Sequence, residues 1–389
     1  MKQGPALENL TAAIVRVCRA GLSAHELRGQ VLPRLRRAVP FDAAFWSTAD
    51  PATLLFTQPH QEEIPPDTIP YFVQNEFLDD DVNKWTTLAR DRVGVRTLAE
   101  ATDGDLEASA RYRDVFSSLG LGDELRAVFR AGGACWGYLC LHRERGGTFS
   151  PDEVAYVRRL APYLAEGIRA GVLISSADLS GAVDAPGLLV LAGDGSLLSI
   201  TSAGERWLEE LGYGEPARFG VPAELQALAA SVDLDGRGND LPRLRVRTRA
   251  GRWAMLHASP LSAPGLDGVA VIIEEPSPAE LAPVLMIAYG LTKQEQTLTG
   301  LVCRGLSTRE LADRLHITAN TVQDHLKSIF EKTGVRSRRE LVTVILQEQY
   351  LPRVMAGRPL GPSGFFSAEA SQSGPESEAA GQARRAAGG

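Results

Sequence analysis

The stretch from Leu291 to Gln347 constrains this chain more than any other, because start and stop signals for four short helices are written into it. Three pairs, Thr292 with Glu295, Ser307 with Glu310 and Ser337 with Glu340, have the spacing of a capping box. In such a box the hydroxyl accepts from the third helical N–H, and the carboxylate reaches back to the amide of the capping residue. Gly305 and Gly334 follow the first and third segments. A left-handed residue closes a helix there, and glycine has no Cβ to oppose it.

The third segment, capped by Thr318 and running to about Thr333, has two distinct sides. At about 100° per residue, Val322, Leu326, Ile329 and Phe330 make one narrow apolar stripe that must be buried. Asn320, Asp324, Lys327 and Glu331 centre on the opposite side, flanked by Thr321, Gln323 and Ser328. The second segment turns Leu311, Ala312 and Leu315 inward and is joined to the third by only His316-Ile317. Two helices at a tight turn, the second presenting amides and a lysine from its N-terminal half, describe a DNA-reading helix-turn-helix.

The residues that carry this pattern are Leu291-Thr292, Glu295, Leu298, Gly305-Leu306-Ser307, Glu310-Leu311-Ala312, Leu315, Ile317-Thr318, Thr321-Val322, His325-Leu326-Lys327, Ile329-Phe330, Lys332, Gly334-Val335, Ser337-Arg338 and Glu340-Leu341. In that order they resemble the LuxR-type helix-turn-helix family. The resemblance implies an all-α, four-helix DNA-binding domain over 291–350. It also implies a dimer surface on the fourth helix, at Leu341, Val344 and Ile345, and half-sites about one DNA turn apart. One departure stands out. After Thr321-Val322, where the family often carries a lysine and a small residue, this chain has Gln323 and Asp324.

Asn320, Gln323, Asp324 and Lys327 are therefore expected to face the major groove, with Thr321 and Ser328 beside them. Asn and Gln suit adenine N6/N7, and Asp can accept from cytosine N4. Lys332 and Arg338 are expected on phosphates. The net charge of −7 argues against a DNA binder only until it is divided. Residues 291–350 carry +2, residues 351–389 +1, and residues 1–290 −10. So weak a positive charge predicts modest affinity for a single copy and a need for dimerisation on DNA.

At 389 residues the chain is expected to hold two or three domains. Residues 1–175 read as helices, a sheet with a Gly132-Gly133 hairpin, and a long helix capped at Ser150 with Pro151 at its first position. The run from Trp136-Gly137-Tyr138-Leu139 to Phe149-Ser150-Pro151-Asp152-Glu153 resembles a GAF domain. Residues 184–276, with a hairpin at Asp194-Gly195, a helix capped at Ser202 and three closing strands, resemble a PAS-type domain. Residues 277–290 read as a linker with an apolar lead-in, and 351–389 as a disordered tail too poor in apolar residues to fold. The expected fold class is multi-domain α+β: GAF-like and PAS-like sensor domains, then the all-α module.

Other features read more plainly. Asp79-Asp80-Asp81 lies between helices, and no lysine occurs between Lys84 and Lys293, so a phosphoacceptor site is not expected and a solvated loop or helix start is. Arg243, Arg245, Arg247 and Arg249 alternate with Leu244, Val246 and Thr248 and read as the solvated face of a half-buried strand. Cys135 and Cys140 have opposite parity along one strand and should point to opposite faces. No cysteine spacing fits zinc or a disulfide framework, so no metal is expected. None of the five lysines follows a glycine, and no nucleophile or metal motif occurs, which argues against an enzyme.

No run of eighteen apolar residues and no signal-peptide core occurs, so no membrane association and a cytoplasmic location are expected. The reading is a one-component, sequence-specific transcription regulator controlled by sensor-like domains through homodimerisation. Double-stranded DNA is its partner; RNA polymerase and a small-molecule ligand are compatible with it, and no cofactor is indicated. The alternative is a sensor or interaction scaffold with a degenerate DNA module, for which Asp324 is the motive.

Overall fold

The computed structural model describes residues 4–173, 185–213, 221–232, 242–263 and 266–346. The expected tail at 351–389 and the Pro264-Gly265 turn lie outside the described residues. Two antiparallel five-stranded sheets precede a helical module. The first contains β1 (Ala43–Ala49), β2 (Phe56–Glu62), β3 (Val95–Thr97), β4 (Leu121–Ala131) and β5 (Ala134–Glu144), in the order β2-β1-β5-β4-β3. The second contains β6 (Gly187–Ala192), β7 (Leu197–Ile200), β8 (Arg243–Arg247), β9 (Trp253–Ala263) and β10 (Leu266–Glu274), in the order β7-β6-β10-β9-β8. Counted from its own first strand, each sheet runs 2-1-5-4-3. The sequence has no repeat period, yet one strand order occurs twice.

Around the first sheet lie α1 (Pro5–Cys18), α2 (Ala24–Ala38), α3 (Ile69–Phe77), α4 (Trp85–Arg90), α5 (Leu98–Ala101) and α6 (Pro151–Val172). The α6 start is the expected one: Ser150 and Glu153 form a capping box with Pro151 in the first turn. Gly132 and Gly133, at φ 61° and 78°, supply the two left-handed residues that a tight hairpin turn needs. In the second unit, α7 (Ser202–Leu211) is capped by Thr201 rather than Ser202, and α8 (Ala223–Ala230) follows it.

Four expectations change. Asp81 is not in a solvated loop. Its Oδ2 accepts from Asn75 Nδ2, Ser109 Oγ and the Arg111 amide at 2.8–3.0 Å, beside a buried chain of charges. In that chain Arg111 and Arg126 both bond Glu124, and Arg126 also bonds Glu76 at 2.6 Å. Cys135 and Cys140 share one apolar cluster, because the β4–β5 register slips between Phe129 and Arg130 and the bulge turns Cys135 over.

The arginine row is solvated only at its ends, where Arg243 and Arg249 are exposed; Arg245 and Arg247 are half-buried. Arg245 grips Asp50 of the first unit, Arg247 lies over the Trp253 ring, and Arg249 donates to the Gly212 carbonyl. Alternation identified the polar face correctly, but its middle, at Arg245 and Arg247, meets Asp50 and the Gly171 carbonyl of the first unit. Lastly, the expected linker is a helix, α9 (Pro278–Ala288), capped by Ser277 and Glu280 and buried along much of its length.

Between the two units Glu224 of α8 is fully buried, with the Tyr213 hydroxyl donating to its Oε1. Burial pushes this carboxyl up to about 7 from an ordinary 4.5, with the Tyr213 bond pulling partway back. The folded chain thus holds a proton that the unfolded chain releases. This part of the stability is full below about pH 4.5 and is lost as pH rises through about 7. Glu224→Gln should flatten the decline in urea midpoint over that range; an unchanged slope would assign it to another group.

Candidate nucleic-acid interface

The C-terminal module consists of α10 (Lys293–Cys303), α11 (Thr308–Leu315), α12 (Ala319–Thr333) and α13 (Arg338–Leu346). Local sequence sets each boundary. Thr292 with Glu295 and Ser307 with Glu310 form full capping boxes. At α13 only half of the box closes as expected: Ser337 Oγ accepts from the Glu340 amide, while Glu340 takes the amide of Arg336. Gly305 and Gly334 are left-handed, as expected, and so is His316, which ends α11 and makes the short turn into α12.

Leu311, Val322, Leu326 and Ile329 are packed in the module core with Leu298 and Leu341. That leaves Asn320, Gln323, Asp324, Lys327 and Glu331 exposed along the other side of α12. Thr321 is half-buried and holds Thr318, its amide donating to Thr318 Oγ1 at 3.1 Å. Gln323 Nε2 lies 3.4 Å from Thr308 Oγ1, a long contact that leaves its amide close to the surface. Beside this face runs an open groove of about 470 Å³, floored by Leu326, Phe330 and Val335 and rimmed by Lys327, Glu331 and Arg336.

Lys332 and Arg338, expected on phosphates, both have partners within the module. Glu295, only 4 % exposed, accepts from the Thr292 amide at 2.7 Å, Ser328 Oγ at 2.7 Å and Lys332 Nζ at 2.6 Å. Burial alone would raise this carboxyl. The bonds from Lys332, Ser328 and Thr292 outweigh it and bring the group down to about 2. Arg338 donates from Nη1 to the Leu306 carbonyl at 3.0 Å and from Nη2 to Thr308 Oγ1 at 2.9 Å. Ser328, Lys332 and Arg338 thus have intramolecular partners that orient α12 and α11. Sequence reasoning missed this, although Ser328 and Lys332 are four apart and so share one helix face. It also missed the exposed Arg336.

The residues expected at a dimer surface are mostly covered within the chain. Leu341 and Ile345 are buried in the module core and Val344 is half-buried, because α9 packs across α13. A partner could not reach the first two while α9 stays in place.

With this geometry in hand, residues 290–345 match the model of bacterial regulatory proteins of the luxR family. The C-terminal module is a LuxR-type helix-turn-helix domain. The chain is 37% identical over 51 residues, 13% of its length, to the DNA-binding transcriptional activator DevR/DosR of Mycobacterium tuberculosis. It is 43% identical over 53 residues, 14% of its length, to the monoamine regulon transcriptional regulator of Klebsiella aerogenes. It spans 24% and 23% of those two relatives' own lengths.

Among solved structures it is similar to a GAF domain from a phosphoenolpyruvate-protein phosphotransferase of Coxiella burnetii, at 16% identity and a TM-score of 0.32, covering 41% of this chain and 91% of that one. It is also similar to Escherichia coli SdiA, at 12% identity and a TM-score of 0.31, covering 87% and 96%. Among the described residues no helix is long and apolar enough to cross a membrane.

Glu295→Ala should destabilise the module by about 2–3 kcal/mol, since it removes a helix cap and two charge-assisted bonds. The stabilisation belongs to the ionised form, so it is present above about pH 4.5 and lost as pH falls towards about 2. Guanidinium unfolding followed by helical circular dichroism, at neutral pH and in acid, checks both statements.

Proposed function

We propose that this chain is a one-component transcription regulator that reads double-stranded DNA with α12 under the control of its two sheet units. The observation that carries the reading is the exposed row Asn320, Gln323, Asp324 and Lys327, presented by the N-terminal half of a helix whose other side is locked in the module core. Such a row can enter the major groove as a unit, and its amides and carboxylate offer base-specific bonds. In this reading residues 1–175 and 184–276 are the sensor units, 291–350 is the reader, and the protein works in the cytoplasm as a homodimer on DNA. The dimer contact would form after α9 withdraws from α13, or elsewhere on the chain.

Phosphate contacts fall to Lys327 and to Arg336, which both rim the groove beside α12. Lys332 and Arg338 act on affinity through the fold they hold. For the sensor, Trp85 Nε1 and Arg126 Nη2 are buried donors without hydrogen-bond partners, amid the stacked rings of Phe45, Trp85 and Tyr138.

Selection from random DNA with the full-length protein tests the main reading. Asp324→Ala should relax preference at one base pair, whereas Arg336→Ala or Lys327→Ala should weaken all sites alike and lower the salt slope by about one. If no site is enriched even at low salt, the reading fails and a scaffold with a degenerate module replaces it.

A further inference from the structure

Helix α9 is apolar nearly all round, and a helix of that kind is buried on more than one side. Leu281, Val284, Leu285 and Ala288 belong to the core beneath the first sheet, which also includes Trp253 of β9. Ala282 and Met286 belong instead to the core of the helix-turn-helix module, with Leu341 and Ile345. The two sets lie roughly 130° apart around the helix axis. One short helix therefore completes two cores.

Each end of α9 is also held by an arginine. Arg245 of β8 donates from Nη1 to the Glu280 carbonyl at 3.2 Å, while its Nε and Nη2 take the two carboxylate oxygens of Asp50 at 2.9 Å each. Asp50 directly follows β1 and is 3 % exposed. At the other end, Arg169 of α6 donates from Nη1 to the Ala288 carbonyl at 3.1 Å. That carbonyl lies in the last turn, where a helix has no partner of its own to offer. A chain of contacts thus runs from the first sheet through the second to α9 and on to α13.

We infer that α9 is the element that couples the sensor units to the DNA module, with Asp50–Arg245–Glu280 as the pin that sets its position. Asp50 and Arg245 are positioning residues: neither belongs to the module, and both act on it through α9. A rearrangement of either sheet unit that moves this pair shifts the N-terminal end of α9, and with it the cover over Leu341 and Ile345. The inference rests on the module being the output of the chain, but the coupling is a property of the folded protein and is read without DNA.

Hydrogen exchange on the full-length chain tests it, comparing wild type with Asp50→Asn and, separately, Arg169→Ala. Loss of either grip should raise exchange in α9 and also in α13, by about tenfold, while the β4 and β5 amides keep their wild-type rates. The inference is overturned if α13 keeps its rates while α9 loosens, or if the sheet amides rise to the same extent as α13. Failure to select a DNA site would remove the regulator reading and leave this result standing on its own.

Discussion

The Glu295 carboxylate, set in the first turn of α10, takes bonds from the Ser328 hydroxyl and the Lys332 ammonium on α12 as well as from its own cap. The apolar stripe of α12 fixes which side of that helix is buried, but a stripe of rounded side chains tolerates rotation and sliding. Directional bonds to a nearly buried anion do not. They hold the helix so that Asn320, Gln323, Asp324 and Lys327 stand together on the exposed side. Arg338 does the same for α11 by gripping Leu306 and Thr308. Lys332 and Arg338 are thus tied into the module's own geometry, while Lys327 and Arg336 rim the groove beside α12.

The same use of charge recurs in the two sheet units. Arg111, Arg126, Glu124 and Glu76 form a buried chain in the first unit, where removing any one member would strand its partner without water. Arg245 and Asp50 do this between units. An acidic N-terminal portion and an arginine on β8 therefore need not signal nucleic acid, since Arg245 meets Asp50 across the interface. The two sheets share one strand order, and Arg245 of the second pairs with Asp50 at the end of β1.

The helix-turn-helix was readable to within a residue or two at each end. Thr292, Ser307 and Thr318 cap the helices expected of them, and Gly305 and Gly334 close two of them. The hairpin at Gly132-Gly133 and the start of α6 at Pro151 were equally plain. Less was legible where a feature depended on a distant partner. Asp81 looked like part of a solvated triplet until Arg111 was beside it, and Leu341 and Ile345 looked free until α9 covered them. The Cys135 side flipped because of a bulge, which a period-two count does not register.

By itself the sequence determined the local elements: caps, left-handed glycines and apolar periodicity act within a turn or two of chain, so every residue needed to judge them is adjacent. Tertiary structure alone decided which charges remain free. Lys332 meets Glu295 from 37 residues away, and Arg245 meets Asp50 from 195. An ion pair of that span leaves no periodic trace in sequence, because its energy depends on burial and distance rather than on spacing along the chain. Hence α12 was delimited from its sequence, while the contacts that hold it and the helix that joins its module to the sheet units emerged only from the fold.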